Sequence, residues 1–169
     1  MRVLLSALAF AMLLAAPNAA AADKSKDEID RFNQRLIQLH LNMDQAGILS
    51  LWAEDGVDLM PGDAPLLGKP AITTWFNNVL AGLKGYKVTK QEMDFHDIRC
   101  SGDWASEWAT DHQVVQPPDG KPPIESYGKI ALVLHRDHGE WKIVQEMWNS
   151  APSRRAETCE QDLFICASL

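Results

Sequence analysis

Residues 51–62 read LWAEDGVDLMPG, and at this segment the chain changes from helical to extended patterning. Its first two residues end a predicted short helix over 44–52, for which Asp44 is the N-cap. A brief strand over 57–60 follows, and the turn formers Pro61 and Gly62 end it. The segment therefore predicts that a sheet begins here, next to helices already formed.

Helical spacing of apolar residues marks two further segments. Residues 27–42 carry apolar side chains at helical intervals behind an acidic first turn, which suits the helix dipole. Residues 69–84 predict another helix, with Pro70 near its start and Gly85 after its end. Three helices are therefore expected before Tyr86.

After Tyr86 the pattern becomes an alternation of apolar and polar residues, broken by short turns. The predicted strands are 88–100, 104–116, 124–136 and 141–149. Turns this short favour hairpins, and successive hairpins make an antiparallel meander. Helices followed by such a sheet define an α+β class, in which the helices cover one sheet face.

The N-terminus has the organisation of a secretory signal peptide. A positive start and an apolar run over 3–16 lead to small residues, with cleavage expected after Ala22 or alternatively Ala20. The run is shorter than the roughly 20 residues that a membrane span needs. The expected parts are a signal peptide over 1–22, one domain over 23–150 and a tail over 151–169. The expected location is periplasmic or secreted.

The charge of the chain limits the classes of partner that it is expected to bind, and its cysteines indicate a disulfide. The net charge is −7, with basic residues scattered along the chain, which disfavours nucleic acid and anionic membrane. Cys159 and Cys166 share the tail, and a local disulfide between them is expected; the alternative is three unpaired thiols. Cysteine and histidine spacing indicates no metal site, and no cofactor is predicted.

Three segments together resemble the nuclear transport factor 2-like superfamily, in its SnoaL-like and ketosteroid isomerase-like branch. They are residues 51–62, LGKPAI at 67–72 followed by WF at 75–76, and GEWKIV at 139–144 followed by MWNS at 147–150. The resemblance implies a cone, in which three N-terminal helices pack on a strongly bent antiparallel sheet around an apolar pocket. It also implies a small apolar ligand and a homodimer formed through the sheets.

The chain departs from this branch at the position of the catalytic base. In the family's enzymes an acidic residue directly precedes the proline that ends the first strand, and here that residue is Met60. The isomerase's tyrosine and second acid fall near Leu36 and Ala131. A thioether cannot abstract a proton, so a proton shuttle of the steroid isomerase type is disfavoured.

The last hairpin predicts which strand residues share a sheet face. If Arg136 pairs with Trp141, then Glu146 lies opposite Ala131. One face would carry Tyr127, Lys129, Ala131, Val133, Val144, Glu146 and Trp148. The other would carry Ile130, Leu132, Leu134, Trp141, Ile143, Gln145 and Met147. Hydrophobicity alone would pack the second face on the helices, whereas the resemblance implies that the first face lines the pocket; a single bulge would exchange them.

The candidate acid or base residues are Glu146, His112 and Lys129. Burial among aromatic rings would raise the pKa of a carboxyl, and a histidine can exchange protons near neutral pH. The alternatives are that Glu146 and Lys129 form an ion pair or face solvent, and that His112 lies at the surface or is hydrogen-bonded in the core.

Large side chains supply the predicted pocket wall. They are Trp52, Met60, Phe76, Trp108, Tyr127 and Trp148. Aromatic residues also fill ordinary cores, so the pattern does not decide between the two roles. The leading interpretation is a binding domain for a small apolar molecule, because the family's base is missing. The alternatives are an isomerase, lyase or hydrolase, and a protein-interaction module that uses the apolar sheet face.

Overall fold

The computed structural model describes residues 19–153, with side chains from Lys24 onward. The elements are α1 (Ala19–Leu41), α2 (Gln45–Ser50), β1 (Trp52–Leu59), β2 (Leu66–Leu67), α3 (Lys69–Gly82), β3 (Lys87–Ser101), β4 (Trp104–Gln116), β5 (Ile124–Asp137) and β6 (Glu140–Ser150). None of the described helices has the length and apolar content of a membrane span.

Both ends of the sequence prediction fall outside this range. The predicted signal peptide up to residue 18, the tail from residue 154 and the disulfide between Cys159 and Cys166 lie outside the described residues. The three-part division of the chain and its export therefore stay predictions.

The four predicted strands of the meander are present, and every end lies within one residue of its predicted position. The larger differences are in the N-terminal half. Helix α1 begins at Ala19 rather than 27, since alanine and lysine in the preceding segment favour helix. Strand β1 begins at Trp52, so α2 ends at Ser50. The side chain of Asp44 accepts a hydrogen bond from the Gly47 N–H at 2.9 Å, which confirms the predicted cap.

The six strands form one sheet in the order β2-β1-β6-β5-β4-β3. The meander β3–β6 is antiparallel as predicted, and β1 lies parallel to β6. The α+β class with helices packed on a curled sheet is confirmed, although the sheet is mixed. The parallel pairing places β1, the first strand, beside β6.

The helices bury one face of this sheet. The core residues are Ile29, Phe32 and Leu36 from α1, Leu51 and Trp52 around the start of β1, Ile72 from α3, and Ala105, Ala109, Ile130, Leu132, Leu134, Trp141 and Ile143 from β4–β6. On β5 the buried set is Ile130, Leu132 and Leu134, while Lys129 and Ala131 are exposed. The helix-facing side of β5 is therefore its apolar side, which corrects the face assignment that the resemblance implied.

The opposite sheet face exposes large apolar side chains. Trp104 is 52% exposed, and Trp108 and Met147 are each 43% exposed. An exposed apolar patch of this kind is typical of an interface. The homodimer through the sheet, which the resemblance implies, stays a prediction.

A carboxyl and an amide meet inside the core. The Asn33 Nδ2 on α1 donates a hydrogen bond of 2.8 Å to Glu107 Oε2 on β4, and both residues are buried. The other two oxygens, Asn33 Oδ1 and Glu107 Oε1, are buried without a hydrogen-bond partner among the described residues. Burial raises the pKa of Glu107 to about 7. A proton on Glu107 gives this carboxyl an O–H donor, so that it no longer has only acceptor oxygens to bury.

The Glu107→Gln variant is expected to change how stability depends on pH. The unfolded chain ionises this group near pH 4.5, whereas the folded protein keeps it protonated up to about pH 7. The contribution of Glu107 to the free energy of unfolding therefore falls by about 3 kcal/mol between these pH values and is constant above them. Glutamine, which mimics the protonated acid, removes that contribution. Urea unfolding of both proteins at several pH values measures the difference, and curves that stay parallel would contradict the assignment.

Candidate functional site

A cavity of about 310 Å³ lies between the helices and the inner sheet face. Most of its wall is apolar, with contributions from Met43, Ile48, Met60, Phe76, Leu80 and Trp148. Its polar groups are His40, Asp58, Gln91, Asp111, Gln113 and Glu146, together with Ser126. A mainly apolar wall with a few converging polar groups is typical of a small-molecule site.

A bulge in β6 decides which residues of that strand reach the cavity. Leu134 pairs with Ile143 and Val133 pairs with Gln145, so Val144 is an extra residue in β6. Arg136 pairs with Trp141 as predicted, but beyond the bulge Glu146 pairs with Leu132 instead of Ala131. Because neighbouring paired residues point to the same face, Glu146 joins the apolar residues of β5 on the inner side.

The first carboxyl of the site, Asp58, is brought next to Glu146 by the parallel pairing of β1 and β6. The two residues are Cα partners in that pairing, and both line the cavity. Asp58 is 2% exposed, and its Oδ1 atom has no hydrogen-bond partner among the described residues. Burial raises the pKa of Asp58 to about 6, although a hydrogen bond from the Leu59 backbone opposes that rise.

A second carboxyl, Asp111, reaches the cavity from β4. The Gln91 Nε2 donates a hydrogen bond of 2.6 Å to Asp111 Oδ1, and the Gln113 Nε2 donates one of 2.7 Å to Gln91 Oε1. Burial raises the pKa of Asp111, while the Gln91 amide and the Trp148 indole act in the opposite direction. This chain of amides fixes the position of the carboxyl.

Glu146 has the most strongly shifted pKa of the three carboxyls. Burial is the largest cause, the negative charges of Asp58 and Asp111 add to it, and together they raise the pKa to about 8. At neutral pH the site therefore contains a protonated Glu146 beside an ionised Asp58. Such a separation lets one group donate a proton while another accepts one.

An imidazole from α1 completes the ionisable groups of the cavity. The His40 Nδ1 lies 2.9 Å from the Leu36 backbone oxygen. Since a carbonyl oxygen only accepts, Nδ1 carries a proton, and in the neutral ring the lone pair is on Nε2. Burial lowers the pKa of His40, which favours that neutral form.

Trp148 forms part of the cavity wall because β5 has no side chain at residue 128. Gly128 is the register partner of Asp111, and a Cβ atom at Gly128 would lie 2.5 Å from Trp148 Nε1. The Trp148 indole thus reaches from β6 across Gly128 toward Asp111. Any larger residue at 128 would have to displace the indole.

The structure separates the residues that the sequence predicted for one site. Glu146, Met60, Phe76 and Trp148 line the cavity. His112 and Tyr127 lie on the other sheet face, where their rings stack at 4.4 Å and the His112 Nε2 is 2.7 Å from Glu125 Oε1. They cannot line the cavity because Asp111 points inward, and adjacent strand residues point to opposite faces.

Lys129, Trp108 and Trp52, which the sequence also predicted for the site, do not line the cavity either. Lys129 is exposed on the outer side of β5, and Trp108 stacks on His96 on the outer side of β4. The bulge at Val144 separates Lys129 from Glu146, so the two do not share a face. Trp52 is 2% exposed and packs in the core beneath the sheet rather than on the cavity wall.

Three site residues escaped the sequence prediction, namely His40, Asp58 and Asp111. His40 follows Leu36 by four positions, so the helical spacing places it on the buried stripe of α1. Asp58 shares a strand face with Met60, a predicted residue of the pocket wall. These two spacings could have predicted His40 and Asp58 as residues of the site. Within residues 24–153, no three His, Cys, Asp or Glu side chains are placed to hold a metal ion together.

The chain belongs to the SnoaL-like domain family, whose model matches residues 24–145. This confirms the resemblance to the nuclear transport factor 2-like superfamily. A search of the curated proteins found no match.

Solved structures with low sequence identity share the fold. A ketosteroid isomerase-like protein from Erwinia carotovora atroseptica is 13% identical, with 75% of this chain and 96% of that chain covered and a TM-score of 0.64. ActVI-ORFA from Streptomyces coelicolor is 17% identical, with 75% and 97% covered and a TM-score of 0.64. A nuclear transport factor 2-like protein of unknown function from Pseudomonas putida is 19% identical, with 82% and 92% covered and a TM-score of 0.58.

The Gly128→Ala variant is expected to lose about 1–3 kcal/mol of stability, because the added methyl group forces the Trp148 indole away from β5. The indole N–H signal of Trp148 in a nitrogen–proton NMR spectrum should shift, and Trp148→Phe identifies that signal. Gly82→Ala is the matched control, since a Cβ atom there meets nothing within 4 Å. An unchanged indole signal and unchanged melting of Gly128→Ala would refute the placement.

Proposed function

We propose that this domain binds a small, largely apolar molecule in the cavity, with a polar group of that molecule directed at the carboxyls. The observation that carries the proposal is the convergence of Asp58, Asp111 and Glu146, from three different strands, on one apolar cavity. The volume of 310 Å³ has room for roughly ten water molecules. A ligand of about ten non-hydrogen atoms fits such a space.

Filling the cavity from the protein side should abolish this binding. Val115 lines the cavity, and in Val115→Trp the larger ring occupies ligand space. Thr89→Trp is the matched control, because Thr89 is exposed on β3. We expect ligands found by NMR screening of small aromatic compounds to bind at least about tenfold more weakly to Val115→Trp and unchanged to the control. Equal binding to both variants would place the ligand site elsewhere.

Acid–base catalysis is a second candidate function, favoured by the register of Asp58 beside Glu146. An ionised Asp58 could take a proton from carbon next to a carbonyl, while a protonated Glu146 gives its proton to a departing hydroxyl. This arrangement replaces the missing base at Met60 with a carboxyl two residues earlier on the same strand face. The enzyme alternative therefore rests on Glu146 and Asp58 rather than on His112 and Lys129.

The β-hydroxy ketone formed from benzaldehyde and acetone tests this chemistry. Its dehydration gives benzalacetone and water, and the conjugated product is followed by ultraviolet absorption. The rate should be highest between about pH 6 and 8, where Asp58 is ionised and Glu146 is protonated. Glu146→Gln should lose about 100-fold or more. Glu140→Gln, an exposed change on the same strand, should not. Full activity of Glu146→Gln would exclude the acid.

A further inference from the structure

The ionisable groups of the cavity lining are His40, Asp58, Asp111 and Glu146. Two of the three carboxyls, Asp58 and Glu146, accept no hydrogen bond from a described side chain. Asp58 is 2% exposed, its Oδ1 has no hydrogen-bond partner among the described residues, and Glu146 makes no hydrogen bond with any other described side chain. A buried carboxyl oxygen without a donor is unfavourable, so Asp58 Oδ1 leaves a hydrogen bond for a ligand to make, and the Glu146 carboxyl beside it can accept a second one.

The charges around these carboxyls favour one kind of donor. His40 is neutral, because burial lowers its pKa, and the other three groups are acids. An ionised Asp58 would repel a negatively charged ligand and attract a positively charged one, and a positive charge beside Glu146 would favour the ionised form of that carboxyl. A cation carrying several N–H groups could donate to both Asp58 and Glu146, which are paired across β1 and β6.

The remainder of the wall suits the same ligand. The rings of Trp75, Phe76 and Trp148 line the cavity together with aliphatic side chains. Aromatic faces attract cations, and apolar walls bind an apolar body. The wall and the carboxyls together define a ligand with one charged end and an apolar remainder.

We infer that the cavity takes a small protonated amine with an apolar body, whose ammonium group donates hydrogen bonds to Asp58 and Glu146. This inference rests on the proposed function, since it names the chemical class of the ligand in the same cavity. It differs from the acid–base candidate, because it needs Glu146 ionised and serving as an acceptor in the complex.

Amine binding is therefore coupled to proton release. In the free protein at pH 7, Glu146 holds a proton, since its pKa is about 8, while Asp58 with a pKa of about 6 is mostly ionised. The ammonium group favours the ionised form of Glu146, so the complex releases up to one proton. The other groups facing the cavity are Asp111 from β4 and His40 from α1. Affinity should rise from pH 6 to pH 8 and fall again near pH 10, where the amine itself loses its proton.

Three ligands of matched size test the inference by titration calorimetry, namely phenethylamine, phenethyl alcohol and phenylacetate. We expect phenethylamine to bind at least about tenfold more tightly than either of the others at pH 8. Its binding enthalpy at pH 7 should depend on the ionisation enthalpy of the buffer, which reports the released proton.

Two variants locate the interaction. Glu146→Gln and Asp58→Asn should each weaken phenethylamine binding by about tenfold or more while leaving phenethyl alcohol within about threefold. Glu146→Gln should also remove the proton release. The controls are Asp55→Asn and Glu140→Gln, which change exposed carboxyls on the same two strands. Circular dichroism melts confirm folding, and if Asp58→Asn fails to fold, Glu146→Gln carries the test.

The outcomes separate the two proposals. If phenethyl alcohol binds in the cavity as tightly as phenethylamine, the inferred preference for an amine is wrong, while the proposed small-molecule site stands. Phenethylamine binding that survives Glu146→Gln with its proton release unchanged would also overturn the amine contact. If none of the three compounds binds, both proposals fail for ligands of this size.

Discussion

One extra residue in β6 determines the chemistry of this domain. Val144 has no partner in β5, and the bulge there shifts the register of every residue beyond it by one position. Without the bulge, Glu146 would lie on the outer face with Ala131 and Lys129. With it, Glu146 lies between Asp58 on β1 and the inner residues of β5. The acidic cavity is thus a consequence of strand register as much as of residue type.

The cavity places acidic side chains on the sheet face that otherwise packs the hydrophobic core. The carboxyls of Asp58, Asp111 and Glu146 occupy positions where apolar residues would bind the sheet more firmly to the helices. Burial raises the pKa of each, which means that folding becomes less favourable as these groups ionise. A domain that keeps such residues gives up stability at neutral pH for a group of acids shielded from water.

The fold was accessible from the sequence because its signals are local and repeated. Alternation and short turns located β3–β6 within one residue at each end, and motif order indicated the family. The site was harder to predict, since no glycine or proline in KIVQEMW (142–148) marks the bulge at Val144. Asp58 was missed because polar strand residues are expected to face water, and a ligand cavity reverses that expectation.

Gly128 has a further consequence for how this cavity can diversify. A residue without a side chain on β5 lets a ring from β6 cover the strand and approach β4. The residue at position 128 therefore affects how far the Trp148 ring extends into the cavity, although Gly128 has no side chain of its own. A larger residue at position 128 would require a smaller one at position 148, because the two side chains would occupy the same space. Such exchanges would change the shape of the cavity, and so the ligand that fits it, without moving the carboxyls.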